Sequence, residues 1–279
     1  MMAGTSLSSF VGLVISQFVL GIPLLSQPSL LDDFTQPEML PVLRIMQVLQ
    51  AIGFLILPSA FLIYLRRDNI FITPTRQRFM LSIVLVMVAT PLINFLADWN
   101  AHLPIPGGFG DWIVTKEDNI ADLTERFLRM PTLTHLISNI FMIAVLPAVA
   151  EELLFRGIVQ RLLTNWNCNA HLAVWAAAIL FSAIHVQFLG FVPRVLMGAG
   201  LGYLFLWSGN LWYPIIAHFS NNALAVVLSY LQQHGMGKQQ LEVIGVGEPT
   251  LAMFSLAFCL VLLHLFKVVS KASDTTSPM

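Results

Sequence analysis

LPAVAEELLFRGIVQ (146–160) decides how this chain is read, because it sets two adjacent glutamates and an arginine inside a run otherwise apolar enough for a membrane helix. A carboxylate placed in hydrocarbon costs several kcal/mol unless it is paired or hydrated. Of the fifteen Asp and Glu residues, only Glu151 and Glu152 fall well inside an apolar helical segment. Neighbouring helical residues point about 100° apart, whereas positions i and i+4 share a face. Glu152 can therefore pair with Arg156, which leaves Glu151 free. Pro147, four residues before Glu151, is expected to open the backbone locally and admit water. Taken alone, Glu-Glu-x-x-x-Arg is equally compatible with a structural ion-pair cluster.

The rest of the chain agrees with a membrane setting. Of its 279 residues, 57% are hydrophobic and 10% charged, against roughly 25% charged in an ordinary soluble domain, and the mean hydropathy is +0.77. The net charge of −1 provides no basic field for nucleic acid. Cys168 and Cys259 are too few and too separated for a disulfide framework or a thiolate metal site. Nothing basic precedes Leu7, so the first apolar stretch is read as a retained span and not as a cleaved signal peptide.

The sequence predicts an all-α, polytopic transmembrane bundle of about eight spans, near 7–25, 42–65, 79–97, 133–160, 171–189, 194–208, 211–231 and 250–267. Three regions follow from it. Residues 1–132 hold three spans and a long loop ending in EDNIADLTERFLRM (117–130), an amphipathic stretch suited to a membrane surface. Residues 133–231 hold the unusual polar residues, and 232–279 the last loop, final span and tail. Arg66, Arg67, Arg76 and Arg78 follow the second span and Lys267 with Lys271 end the last, so both termini are expected in the cytoplasm.

Two further polar groups interrupt apolar segments. FSAIH (181–185) with the following Phe188 is read as helical, placing Phe181, His185 and Phe188 together, and HFSNN (218–222) projects His218 and Asn222 from one helical face. From Glu151 to the turn near 165 is about 21 Å of helix, and from that turn to His185 about 27 Å, so the two can meet across a hairpin. A carboxylate and an imidazole can activate a water, while a second imidazole and an amide stabilise an oxyanion. Zinc held by Glu151, His185 and His218 is the competing chemistry, and His-Glu-x-x-His occurs nowhere. The residues leave both open. Either way, the three groups are expected to share one water-filled pocket near the cytoplasmic side. GAGLG (198–202) lies inside an apolar span without a preceding strand, so it reads as close helix packing and not as a nucleotide loop.

EELLFRG, FSAIH with Phe188, and HFSNN, in that order, resemble the three motifs of the CPBP intramembrane proteases, which include type II CAAX prenyl endopeptidases and bacterial bacteriocin-processing or immunity proteins. The likeness covers about 133–231. It implies a helical membrane endopeptidase, usually labelled a metalloprotease, acting on a membrane-associated peptide or protein. Glu151, Glu152, His185, His218 and Asn222 would be catalytic, with Arg156, Phe181 and Phe188 in support and zinc or a metal-free water as the activated species. A transporter or channel would also use intramembrane acids and histidines but calls for two repeated halves, and here the ionisable residues crowd one half. A non-catalytic immunity or scaffold protein is the remaining alternative.

Overall fold

The computed structural model describes residues 39–104, 108–166, 169–236 and 244–275. Eight helices occur among them: α1 (Met39–Arg66), α2 (Arg76–Ala101), α3 (Gly108–Phe127), α4 (Leu133–Asn165), α5 (Ala170–Ala183), α6 (Phe191–Ser208), α7 (Trp212–Gln233) and α8 (Pro249–Thr275). Six of these, all except α3 and α5, are long and apolar enough to cross a membrane. The chain is thus a multi-pass membrane protein of all-α class.

The expectation of eight spans needs correction. The stretch 7–25 lies outside the described residues, and the span expected over 171–189 is a helix of 14 residues that stops at Ala183. At 1.5 Å per residue it reaches about 21 Å, short of a hydrocarbon core of about 30 Å. The chain leaves the helix through a turn at 184–186, where Val186 takes a left-handed φ of 53°. It restarts as α6 at Phe191, with Pro193 in the first turn, where a missing N–H costs nothing.

Prolines shape the two helices that border the site. Ala51–Ile56 of α1 and Ile140–Val145 of α4 are π-helical turns, just before Pro58 and Pro147. A proline ring crowds the carbonyl four residues back and gives it no hydrogen bond, and a widened turn relieves that crowding.

The loop 67–75 fastens the first helices to the later ones. Leu211 N donates to Ile70 O (2.8 Å), Asn210 Nδ2 to Ile72 O (2.7 Å) and Thr75 N to the Tyr213 hydroxyl (2.9 Å). Arg161 meets Asp68 at 2.6 Å, and Lys267 lies over the Trp207 ring. One end of the bundle therefore gathers Arg66, Arg67, Arg76, Arg78, Arg161 and Lys267. From that end α2 runs about 39 Å to the other, where α3 follows. Leu85, Leu204, Tyr213, Ala217 and Phe266 form a core between α2, α6, α7 and α8. Leu57, Phe61, Ile137, Phe254 and Phe258 are 60% exposed or more, a surface suited to lipid and not to water.

Candidate active site

Glu152 is the centre of the polar cluster. Its side chain is fully buried, and Oε1 accepts from Arg156 Nη1 (2.8 Å) and from His218 Nδ1 (2.9 Å). The i,i+4 spacing on α4 supplies the first bond, and the packing of α7 against α4 supplies the second. Arg156, 1% exposed, also donates to Gly198 O (2.7 Å) and stacks on Phe181, its guanidinium carbon 5.2 Å from the ring centre. One turn on, Gln160 Nε2 donates to Gly202 O (3.1 Å). Gly198 and Gly202 thus let α4 and α5 approach α6. A Cβ at 198 would lie 3.3 Å from Ala178 Cα, and one at 202 would lie 2.9 Å from Val174 Cγ1.

Glu151 points elsewhere. Its carboxylate is 18% exposed, and Oε2 stands 3.8 Å from His218 Nε2, beyond hydrogen-bond length. His218 therefore has one nitrogen on Glu152 and the other facing Glu151. Glu151 lines a cavity of about 330 Å³ between α1 and α4, together with Gln47, Gln50, Phe54, Pro147 and Ala150. A second, apolar cavity of about 210 Å³ among α2, α6 and α8 includes Asn221 but none of the acids or histidines.

His185 belongs to the turn after α5, not to a helix as the sequence suggested; Phe181 is helical and Phe188 lies in a bend. Its Nδ1 is 2.7 Å from Phe181 O. A carbonyl only accepts, so this nitrogen carries a proton, and in the neutral ring Nε2 keeps its lone pair. The Phe181 ring is 5.0 Å from the His185 ring and 5.9 Å from that of His218, so both imidazoles flank one aromatic. Phe188 instead meets Trp112 of α3, ring centres 6.1 Å apart.

Asn222 Nδ2 donates to Ile143 O at 3.1 Å. That is the carbonyl to which Pro147, lacking an N–H, cannot donate in an α-helix. The opening foreseen at Pro147 is thus capped by the Asn222 amide, which also accepts from Asn221 (3.2 Å).

The packing also decides depth. Asn100, at the end of α2 far from Arg76, bonds to Phe188 and Val192, and Glu117 of α3 bonds to Leu189. The turn that carries His185 therefore lies toward the α3 end, not at the arginine-rich end where the pocket was expected. Among the described residues no three His, Cys, Asp or Glu side chains are arranged to hold a metal ion. The expected zinc donors Glu151, His185 and His218 do not form such a group here, although both histidines use Nδ1 for their bonds, to Phe181 O and Glu152, and leave Nε2 unused by them. Asn100, Glu117, Gln47, Gln50 and Arg194 have no signature in the sequence; only their contacts reveal them. Arg194 holds Gln187 (2.8 Å) within electrostatic reach of Glu151 and Glu117.

Residues 133–224 match the family model described as Type II CAAX prenyl endopeptidase Rce1-like. The uncharacterized protein YpbD of Bacillus subtilis (strain 168) is 34% identical over 92 residues, which are 32% of this chain and 44% of that protein. The match thus spans less than half the length of that relative. No solved structure matches the chain. The family match includes Glu151, Glu152, Arg156, His185, His218 and Asn222, and it excludes Asn100 and Glu117.

Proposed function

We propose that this membrane protein is an endopeptidase, because residues 133–224 match the Rce1-like family of type II CAAX prenyl endopeptidases. It cleaves a membrane-associated peptide or protein in the cavity beside Glu151. The observation that carries the reading is His218 held between two carboxylates, Nδ1 on buried Glu152 and Nε2 facing Glu151. A purely structural ion pair between Glu152 and Arg156 needs neither His218 nor a second acid beside a cavity.

The arrangement supports the following roles. Glu151 takes a proton from water as the oxygen adds to the scissile carbonyl carbon, and the neutral His185 ring accepts a hydrogen bond from the remaining O–H at Nε2. With Nδ1 on Glu152, His218 turns Nε2 toward Glu151, and an N–H there would face the oxyanion, with the second N–H of the Asn222 amide as a further donor. When the tetrahedral species collapses, the C–N bond breaks and Glu151 returns its proton to the departing amine. The family name suggests substrates near a lipidated C-terminus, and the surface of exposed Leu and Phe side chains suits anchorage beside the cavity.

Protein purified in detergent and offered a panel of membrane-anchored peptides should cleave at least one, and Glu151→Gln should lower turnover by about 10²-fold or more while keeping the fold. Near-parental turnover in that variant would sink the mechanism, and an inert parent would favour the immunity or scaffold reading. Full activity in metal-free protein supports the glutamate-activated water. Loss on chelation with rescue by zinc would transfer the role to a metal.

A further inference from the structure

His185 has no helix to hold it. It lies in a turn that leaves α5 at Ala183, passes through the left-handed Val186 and re-enters helix at Phe191. A β-branched residue at positive φ persists only where its surroundings over-determine it. The surroundings are unusually specific. Asn100, 5% exposed on α2, donates from Nδ2 to Phe188 O at 2.8 Å and accepts at Oδ1 from Val192 N at 2.9 Å. It therefore replaces the missing helical ladder on both sides of the turn with one rigid amide. Glu117 Oε1 of α3 accepts from Leu189 N at 3.0 Å, between those two contacts. Inside the turn, Ser182 Oγ donates to Phe191 O at 2.9 Å.

Resting on the protease reading above, we infer that Asn100 is the positioning residue for His185, with Glu117 its second anchor. Neither side chain bonds to an imidazole; both hold the backbone from which the His185 ring packs on Phe181, the aromatic that it shares with His218. The clamp spans 88 and 92 residues of sequence and comes from helices outside the matched segment. It gives the otherwise motif-free first helices a part in the site. His218 needs no such help, because Glu152 holds it directly. This independence separates positioning from general loosening.

The test uses the full chain in detergent with histidine labelled at Cε1, the His185 and His218 resonances being assigned from His185→Ala and His218→Ala. In Asn100→Leu the His185 resonance and its titration should move while those of His218 stay, and kcat should fall about 10- to 100-fold with KM little changed. If Asn100→Leu does not fold, Asn100→Asp tests the same point, since it keeps the acceptor for Val192 N and loses the donor to Phe188 O. Glu117→Gln, which keeps an acceptor for Leu189 N, should leave the His185 signal in place, and Glu117→Leu should displace it. An unmoved His185 signal in the Asn100 variant, or equal displacement of both histidines, overturns the inference. The resonances report whether or not any peptide is cleaved, so failure of the protease reading is seen separately, as an inert parent.

Discussion

Replacing Glu152 by Gln should damage stability far more than the same change at Glu151, although the two are neighbours and chemically alike. Glu152 is fully buried and is the anionic partner of Arg156, itself 1% exposed. The amide can still accept one hydrogen bond, but it carries no charge, so the buried guanidinium loses its anionic acceptor and is left with neutral ones such as Gly198 O. Breaking a buried pair from one side costs about 3–5 kcal/mol. For a chain of this size that corresponds to a fall of roughly 6–20 °C in Tm. Glu151 has its nearest opposing nitrogen at 3.8 Å and remains partly exposed. Its replacement should cost under about 1 kcal/mol. Thermal unfolding of the two purified variants, in the same detergent as the parent, reads the difference directly. The double variant Glu152→Leu/Arg156→Met should recover part of the loss, because removing both charges strands neither of them, while the lost acceptor for His218 Nδ1 keeps the recovery incomplete. Equal melting temperatures for the two single variants would refute the division of labour argued here.

Three other outcomes are expected. A cysteine at Ile72 should be protected from an impermeant reagent outside intact cells and one at Asp118 should react, if the density of arginines at the Ile72 end marks the cytoplasmic side and α3 lies at the other; labelling at 72 would reverse the orientation. The Arg161 hydrogen bond to Asp68, helped by Arg66, holds that carboxyl below the usual aspartate range. Its stabilisation is therefore present above the ordinary aspartate pKa and is lost as pH falls through the lowered value. It should be worth at most about 1 kcal/mol at this part-exposed site, so Asp68→Asn should flatten the acid limb of a Tm-against-pH curve slightly. Gly202→Ala should lower Tm by the equivalent of about 1–3 kcal/mol, with its Cβ 2.9 Å from Val174 Cγ1 and 3.0 Å from Gln160 Oε1. Gly200→Ala meets nothing within 4 Å and should be neutral or stabilising by about 0.5–1 kcal/mol, so equal effects would contradict the packing.

Much that is local was legible in the sequence. Membrane class follows from composition, because an apolar run long enough to cross a bilayer announces itself without any partner. The Glu152 and Arg156 pair follows from i,i+4 geometry, and the disturbance at Pro147 from its missing N–H. The Gly198 and Gly202 stripe read as helix packing for the same reason: small residues at that spacing leave room for a neighbour. The tertiary structure decided the rest. No local rule tells that His218 bonds to Glu152 while facing Glu151, since the two helices meet only through packing. None tells that α5 stops before His185, because FSAIHVQF is apolar enough to continue and the turn is stabilised from α2 and α3. Helix length and i,i+4 contacts are fixed by the bonds of one segment. The depth of the site and the hold on His185 depend instead on hydrogen bonds between residues about ninety positions apart, and such bonds leave no period in the sequence.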